Sequence, residues 1–193
     1  MRKETIIKTY AKFNELNKEQ QTKAIESLRD INVDNAWHDL DQEDFHEILE
    51  LLGFYDIVSN FSGFWSQGDG ASFSASFKIP LDKKELKQRM SKVEDFAPNY
   101  FDAGASIKKL YLDLDFSQEI MEGESTLKII THGHYSGVMY CGHLDLQEFA
   151  RYMAAKYYID LEKNYDYLVS DDSVIEAIEA NDYEFDIDTL ELS

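Results

Sequence analysis

IVSNFSGFWSQGDGASFSASFKI, residues 57–79, has the pattern of a β-hairpin. Apolar residues alternate with small polar ones on both sides of a glycine-rich centre, and Phe73 and Phe77 lie on one alternating run. A period of two is typical of strands. Between the runs, Gly68 and Gly70 permit the positive φ angles that a tight loop requires. The stretch therefore predicts two antiparallel strands joined by a polar loop.

A second hairpin is predicted from STLKIITHGHYSGVMYCGHLDL, residues 125–146. Leu127, Ile129 and Thr131 alternate with Lys128, Ile130 and His132, and β-branched residues favour strands. His134–Gly137 would form the turn. The two hairpins together predict an antiparallel sheet of about four strands.

Helical spacing of apolar residues predicts several helices around this sheet. Asn17 is a candidate N-cap for the first, and Gly53 a candidate stop for a helix over residues 34–52 whose apolar face includes Leu40. Residues 81–97 predict a helix with Leu81 facing inward and Arg89 outward among lysines. Further helices are expected over residues 101–112, 146–169 and 174–180, the last preceded by the N-cap stretch Ser170–Ser173, with an edge strand in the tail. One α+β domain is the simplest interpretation.

Acidic residues dominate the charge of the chain. Its 193 residues include 38 Asp and Glu against 19 Lys and Arg, which gives a formal net charge of −19. Such a surface repels phosphate backbones, so direct binding of nucleic acid is not expected. It suits a basic partner protein, although the same composition also serves solubility alone.

The chain contains one cysteine, Cys141, so no intrachain disulfide is possible, which fits a reducing cytoplasm. The N-terminal residues lack the apolar core of a signal peptide, and no stretch is apolar enough to span a membrane. A cytoplasmic location without membrane attachment is therefore expected, and no cofactor is predicted.

A histidine cluster in the second hairpin is a candidate metal site. His132 and His134 form H-x-H at the end of one strand, and the return strand carries Cys141, His143 and Asp145. These residue types bind zinc when a hairpin brings them together. Histidines at strand ends also often make only local hydrogen bonds, so the hypothesis depends on the register.

Catalysis by a nucleophile and a base has weak support. Cys141 and His143 are two residues apart, so on a strand they face the same way at roughly 6–7 Å, too far for a direct hydrogen bond. No G-x-S-x-G motif is present. An enzyme is therefore the less favoured class.

The loop Trp65–Gly70 has two possible roles. Glycine-flanked amides can bind an anion, but Asp69 opposes one, and the loop matches neither phosphate-binding glycine motif. A structural role is favoured, in which Asp69 and Gln67 satisfy loop amides while Phe64 and Trp65 pack. Trp65, Gln67 and Asp69 are also kept as candidate binding residues.

Two acidic segments are the main candidate binding surfaces. Between Asp30 and Phe77 there are ten acidic residues and no Lys or Arg, and from Asp171 to Glu191 there are nine acidic residues and no basic one. Carboxylates spaced along a helix can imitate a row of phosphates and enter a basic groove. The candidate residues are Asp34, Asp39, Asp41, Glu43, Asp44, Glu47, Glu50, Asp171, Asp172, Glu176 and Glu179.

Most of the chain, from about Phe13 to Phe185, resembles a family of small phage- and plasmid-borne proteins often labelled "antitoxin of toxin-antitoxin stability system". The resemblance rests on FSGFWSQGDGASF, on an upstream helix ending in LLG, and on an ending that matches at Ser170-Asp171, Val174, Ile178, Asn181, Tyr183 and Phe185. It implies an origin in a mobile element and supplies no catalytic residues.

Together, the charge and the resemblance predict an acidic protein that binds and inhibits a basic host protein of the nucleic-acid machinery, as an anti-CRISPR or antirestriction protein or a nucleic-acid mimic does. An antitoxin that masks one toxin is the second hypothesis. A metal-dependent enzyme using His132, His134 and His143 is the third.

Overall fold

The structure, a computed structural model, describes residues 8–34, 36–102, 105–117, 121, 125–132, 137–141 and 144–193. These residues form helices and antiparallel strands, which confirms the predicted α+β class. They divide into two compact units. The first contains the chain up to Trp37 together with Lys163–Ser193, and the second contains His38–Glu162. The expectation of a single domain stays a prediction.

The elements follow one another in the order β1 (Tyr10–Lys12), α1 (Lys18–Ser27), α2 (Asp39–Leu52), β2 (Phe54–Phe61), β3 (Ala71–Lys78), α3 (Lys83–Phe96), α4 (Ala105–Asp113), β4 (Thr126–His132), β5 (Gly137–Cys141), α5 (Leu144–Leu168), α6 (Asp171–Ala180) and β6 (Glu184–Asp186). None of the described helices is both long enough and apolar enough to cross a membrane.

The second unit contains an antiparallel sheet in which the described strands have the order β2-β3-β4-β5. Phe54 lies opposite Phe77 across the first pair, and Phe77 lies opposite Leu127 across the next. Both predicted hairpins are thus confirmed in their strands, although the turn His134–Gly137 lies outside the described residues except for Gly137. A bulge follows Tyr55 on the edge strand β2.

Alternation along β3 sets the core of this unit. Ala71, Phe73, Ala75 and Phe77 are buried, while the serines between them are half-buried. Helices cover the buried side with aromatic rings: Phe45 of α2 stacks on Tyr157 of α5 at a centroid separation of 4.3 Å. Aromatic burial of this kind stabilises the unit strongly, because each ring removes a large apolar area from water.

Arg89 corrects one prediction. Only 7% of this residue is exposed, although the sequence places it among outward lysines. Its guanidinium donates to Leu52 O (3.2 Å), Lys78 O (2.8 Å) and the Glu85 carboxylate (2.6 Å). These acceptors lie at the end of α2, at the end of β3 and one turn back on α3, so the long side chain turns inward because it finds partners there.

Two leucines also differ from the prediction. Leu81 is 86% exposed and Leu40 is 74% exposed, although helical spacing placed both on apolar faces. Leu81 lies before the first residue of α3, and Leu40 lies in the first turn of α2. Positions at helix ends need not share the packing of the helix centre.

The first unit is closed by a strand pair that the sequence predicted only in part. The expected edge strand of the tail is β6, and it pairs antiparallel with β1, with Ala11 opposite Phe185. Phe185 is buried in a cluster with Phe13, and α1 and α6 add Ile25 and Val174 to it.

Both predicted N-caps of this unit are confirmed. The side chain of Asn17 accepts a hydrogen bond from the backbone amide of Gln20 at 3.0 Å. The side chain of Gln20 in turn accepts one from the backbone amide of Asn17. Ser170 accepts from the amide of Ser173 at 3.3 Å, so α6 begins at Asp171, three residues before the predicted start. Each cap satisfies an amide that the helix leaves without a partner.

Gly53 offers a test of the Arg89 contacts. Its φ is +102°, and a Cβ built there would lie 2.0 Å from Arg89 Nη1. Gly68 has nearly the same φ, +101°, but nothing lies within 4 Å of such a Cβ. We expect Gly68→Ala to cost about 1 kcal/mol of unfolding free energy from backbone strain and Gly53→Ala about 2 to 4 kcal/mol, because only Gly53→Ala also displaces Arg89. Urea unfolding measures both, and equal losses would contradict the clash.

Asp186 offers a test in the first unit. Its buried carboxylate accepts from the amides of Asp188 (2.9 Å) and Thr189 (3.2 Å), and these bonds, with nearby Lys8, lower its pKa. A carboxyl whose folded pKa is depressed adds stability above its unfolded pKa of about 3.9, and the gain disappears as pH falls through the folded value. Asp186→Asn should therefore lower the melting temperature at pH 7, and the deficit should shrink in acid. Asp188→Asn, at an exposed position, is the charge-matched control; an equal loss there would contradict the assignment.

Candidate protein-binding surface

Helix α2 presents a carboxylate row on its solvent side. Asp39, Glu43, Glu47 and Glu50 follow one another at intervals of four, four and three residues, so they lie on one face of the helix. All four are exposed, whereas Phe45 and the other buried apolar residues of the helix, Ile48, Leu49 and Leu52, face the core. We call these four residues the α2 carboxylate row.

The α2 carboxylate row is poorly neutralised. Among the described residues, no ion pair involves Glu43, Glu47 or Glu50, and Asp39 lies only near His38, with Nδ1 and Oδ1 3.7 Å apart. Like charges at i, i+4 destabilise a helix by about 0.2–0.5 kcal/mol per pair. The row therefore costs a little helix stability by itself.

An open groove of about 1420 Å³ runs beside this row. Glu43, Glu47 and Glu50 line one wall, and Lys78, Ser91 and Lys92 lie among the residues of the other. Arg89 also lines the groove, but its described hydrogen bonds bind it to protein oxygens. The groove can thus receive a cationic segment along α2, while the lysines opposite can pair with a carboxylate of the same partner.

The second acidic segment lies in the other unit and is partly neutralised there. Arg29 pairs with Asp171 and with Glu26, and Lys12 pairs with Asp182 (2.6 Å). Asp172, Glu176 and Glu179 are exposed along α6, and Asp34 is exposed before α2.

The remaining carboxylates of α2 lie off the row. Asp44 is exposed, and Asp41 is half-buried. A helix turns by about 100° per residue, so neither side chain points the same way as the α2 carboxylate row.

Asp69 organises the loop between β2 and β3. One carboxylate oxygen accepts from the amides of Trp65 (3.0 Å) and Ser66 (2.6 Å), as the structural interpretation of the loop predicts. Gln67 is exposed, and Trp65 is 65% exposed although packing was expected of it. The indole contacts the ring of Phe64 at a centroid separation of 5.2 Å.

The register of β4 and β5 shows how far apart two members of the predicted histidine cluster lie. His132 pairs with Gly137 at one end of the ladder, and Cys141 pairs with Lys128 at the other. The two pairs are four residues apart along the strands, so the backbones of His132 and Cys141 are separated by about 13 Å. His134 and His143 lie outside the described residues, so the metal site stays a hypothesis. No group of three or more His, Cys, Asp or Glu suited to a metal occurs within the described part of the chain.

Sequence reasoning missed His46 and Ser59, whose Nε2 and Oγ atoms are 2.7 Å apart. Burial lowers the pKa of His46, while the charge of Glu50 opposes this shift. Tyr157 packs in the same region, and burial raises the pKa of its hydroxyl to about 12. A neutral His46 imidazole can accept a hydrogen bond from the Ser59 hydroxyl. The sequence did not predict this pair, because no local pattern relates a helix residue to a strand residue thirteen positions later.

The fold and this surface define an acidic α+β protein with a charged groove beside a helix face whose carboxylates are largely unpaired within the described residues. In comparisons with known proteins, the family model "Domain of unknown function (DUF8835)" matches residues 37–171. The chain belongs to this family. Neither the curated proteins nor the solved structures include a match.

The matched region contains the α2 carboxylate row, the groove and the Trp65 loop, whereas α6 lies beyond it except for Asp171. The family description names no activity, so the resemblance to antitoxin-labelled proteins stays a prediction.

His46 supplies a pH test of this site. Because its folded pKa lies below the unfolded value of about 6.5, the unfolded chain binds more protons between the two values, and stability should rise with pH across that window. His46→Gln should flatten the rise, which chemical unfolding at pH 5 to 7 measures. An imidazole NMR titration giving His46 a pKa of 6.5 or above would contradict the expectation.

Proposed function

We propose that this protein comes from a phage or other mobile element and inhibits a basic host protein that binds nucleic acid, in the manner of an anti-CRISPR or antirestriction protein. The observation that supports the proposal most is the α2 carboxylate row, whose charges are largely unpaired within the described residues. A stoichiometric inhibitor needs such a surface, and no catalytic step is required of it.

Electrostatics favours a protein partner over nucleic acid. A net charge of −19 repels phosphates and speeds the encounter with a basic surface. A helix face with carboxylates about 6 Å apart offers a basic groove a regular series of acceptors. This supports nucleic-acid mimicry as the mode of inhibition.

The groove suggests how a partner would be held in register. A cationic segment would lie along Glu43, Glu47 and Glu50, and Lys78 and Lys92 on the facing wall would donate to a partner carboxylate or repel a wrongly placed cation. Mixed charges of this kind add specificity, because a misaligned partner meets like charge. The site of action we propose is the cytoplasm, where such host enzymes work.

The test compares two triple variants with the same change in net charge. Glu43→Gln/Glu47→Gln/Glu50→Gln neutralises the groove wall, and Asp172→Asn/Glu176→Gln/Glu179→Gln neutralises three exposed carboxylates of α6. Each would be used as bait in a host lysate at about 50 mM and about 500 mM salt, conditions that differ strongly in screening. A recovered protein would then be assayed for nucleic-acid binding or cleavage with increasing inhibitor.

We expect a basic nucleic-acid enzyme to be captured at low salt, released at high salt and inhibited at one-to-one stoichiometry. The groove triple should weaken inhibition by about tenfold or more, since three charge pairs are lost, and the α6 triple should change it little. Equal effects of the two triples would show that only overall charge matters. The absence of any salt-sensitive partner would overturn the proposal.

A further inference from the structure

Helix α5 carries apolar residues on two opposite faces. Met153, Tyr157 and Leu161 are buried and pack the helix onto the second unit. Tyr152 and Ile159, by contrast, are 43% and 39% exposed. A helix turns by about 100° per residue, so these two side chains lie on the side opposite the buried stripe. One core requires only one apolar stripe of the helix, so packing within the unit does not account for the outer pair.

Ala155 joins the outer pair into a continuous stripe. Tyr152, Ala155 and Ile159 follow one another at intervals of three and four residues, the spacing of the positions that meet when two helices pack side by side. The polar end of Tyr152 already has a partner on its own helix, since its hydroxyl donates to the Glu148 carboxylate at 3.4 Å. We call Tyr152, Ala155 and Ile159 the outer stripe of α5.

Opposite charges flank the outer stripe at its two ends. Arg151 precedes Tyr152, Glu162 follows Ile159 by three residues, and neither forms an ion pair among the described residues. In two copies of α5 that lie antiparallel with Ala155 near the axis between them, Tyr152 of one copy faces Ile159 of the other. Arg151 then lies within about 3 Å, measured along the helix axis, of Glu162 of the other copy.

The same charges select the antiparallel orientation. In a parallel pair every residue would meet its own counterpart, so Arg151 would face Arg151 and Glu162 would face Glu162, which is repulsive. In the antiparallel pair Arg151 lies between Glu148 of its own helix and Glu162 of the other copy. Lys156 is nearest to the axis, but Asp160 neutralises it on its own helix at 2.7 Å. The pattern is therefore self-complementary, as an interface with two-fold symmetry requires.

We propose that a second copy of this chain docks on the outer stripe of α5, with the two helices antiparallel about a two-fold axis near Ala155. The inference goes beyond the proposed function, and the surface lies wholly within the second unit, apart from the α2 carboxylate row.

The dimer and the complex with a basic partner should depend on salt in opposite ways. Each chain carries a net charge of −19, so two copies repel each other at long range. Salt screens this repulsion and leaves the apolar contact of the outer stripe intact. The dimer should therefore become more stable as the salt concentration rises.

Sedimentation equilibrium of the full chain tests the proposal, with about 10 to 500 µM protein at about 50 mM and about 500 mM salt. We expect a monomer–dimer equilibrium that shifts toward the dimer at the higher salt. Ile159→Glu should weaken the dimer by about tenfold or more, because it places a carboxylate in the apolar centre of the contact. Leu40→Glu makes the same change of charge at a side chain of α2 that is 74% exposed, and it should leave the association nearly unchanged.

An exchange of the flanking charges tests the orientation. At the higher salt, where differences in net charge are screened, Arg151→Glu and Glu162→Arg should each weaken the dimer, because like charges then meet. The double variant Arg151→Glu/Glu162→Arg should recover the association, and an equimolar mixture of the two single variants should associate more strongly than either alone. A parallel pair would show neither recovery. Circular dichroism checks that each variant is folded.

The outcomes keep this proposal separate from the proposed function. A monomer at every concentration and at both salts would overturn the dimer, and so would equal losses from Ile159→Glu and Leu40→Glu. A dimer that Ile159→Glu weakens but that the double variant fails to recover would overturn the antiparallel orientation. The groove triple leaves α5 unchanged and should still form the dimer, so the failure of one proposal is seen independently of the other.

Discussion

The buried guanidinium of Arg89 is the interaction on which the second unit depends. It binds carbonyl oxygens at the end of α2 and at the end of β3, and its own helix supplies Glu85 as the counter-charge. Tyr111 of α4 donates to the same carbonyl, Leu52 O, at 2.6 Å. Residues of α2, β3, α3 and α4 therefore meet where α2 ends at Leu52. Because the last carbonyls of a helix have no partners within it, these donors make a sharp exit from α2 into β2 possible.

This arrangement also determines where the carboxylates of α2 can lie. Once the C-terminal end of the helix is fixed and Phe45 stacks on Tyr157, the rotation of α2 is set, and its acidic face must point toward the groove. The unit tolerates the resulting repulsion because its aromatic core contributes far more than the few tenths of a kcal/mol that each like-charged pair costs. In the first unit, by contrast, basic side chains such as Lys12 and Arg29 neutralise several carboxylates. The two acidic segments have a similar density of carboxylates in the sequence. They differ in how many of those carboxylates form ion pairs among the described residues.

Local signals were sufficient to predict much of the fold. Alternation identified β3 and β4, and the caps Asn17 and Ser170 were evident from residue type and position. The features that the sequence did not predict depend on partners that are distant along the chain. The inward turn of Arg89 requires two carbonyls from other elements, and the pairing of β1 with β6 joins residues separated by most of the chain. Of the candidate surface, the acidic composition of α2 was predictable, whereas the groove, the pair His46–Ser59 and the exposure of Trp65 follow only from packing.

The pairing of β1 with β6 has a consequence for how the chain matures during synthesis. Residues His38–Glu162 are continuous, so the second unit can acquire its contacts while translation proceeds. The first unit cannot, since Tyr10–Lys12 must wait for Glu184–Asp186 to leave the ribosome. During that interval Phe13 lacks the ring of Phe185 against which it packs at 6.5 Å. Residues around Phe13 are thus exposed to proteases and chaperones until Glu184–Asp186 has been made.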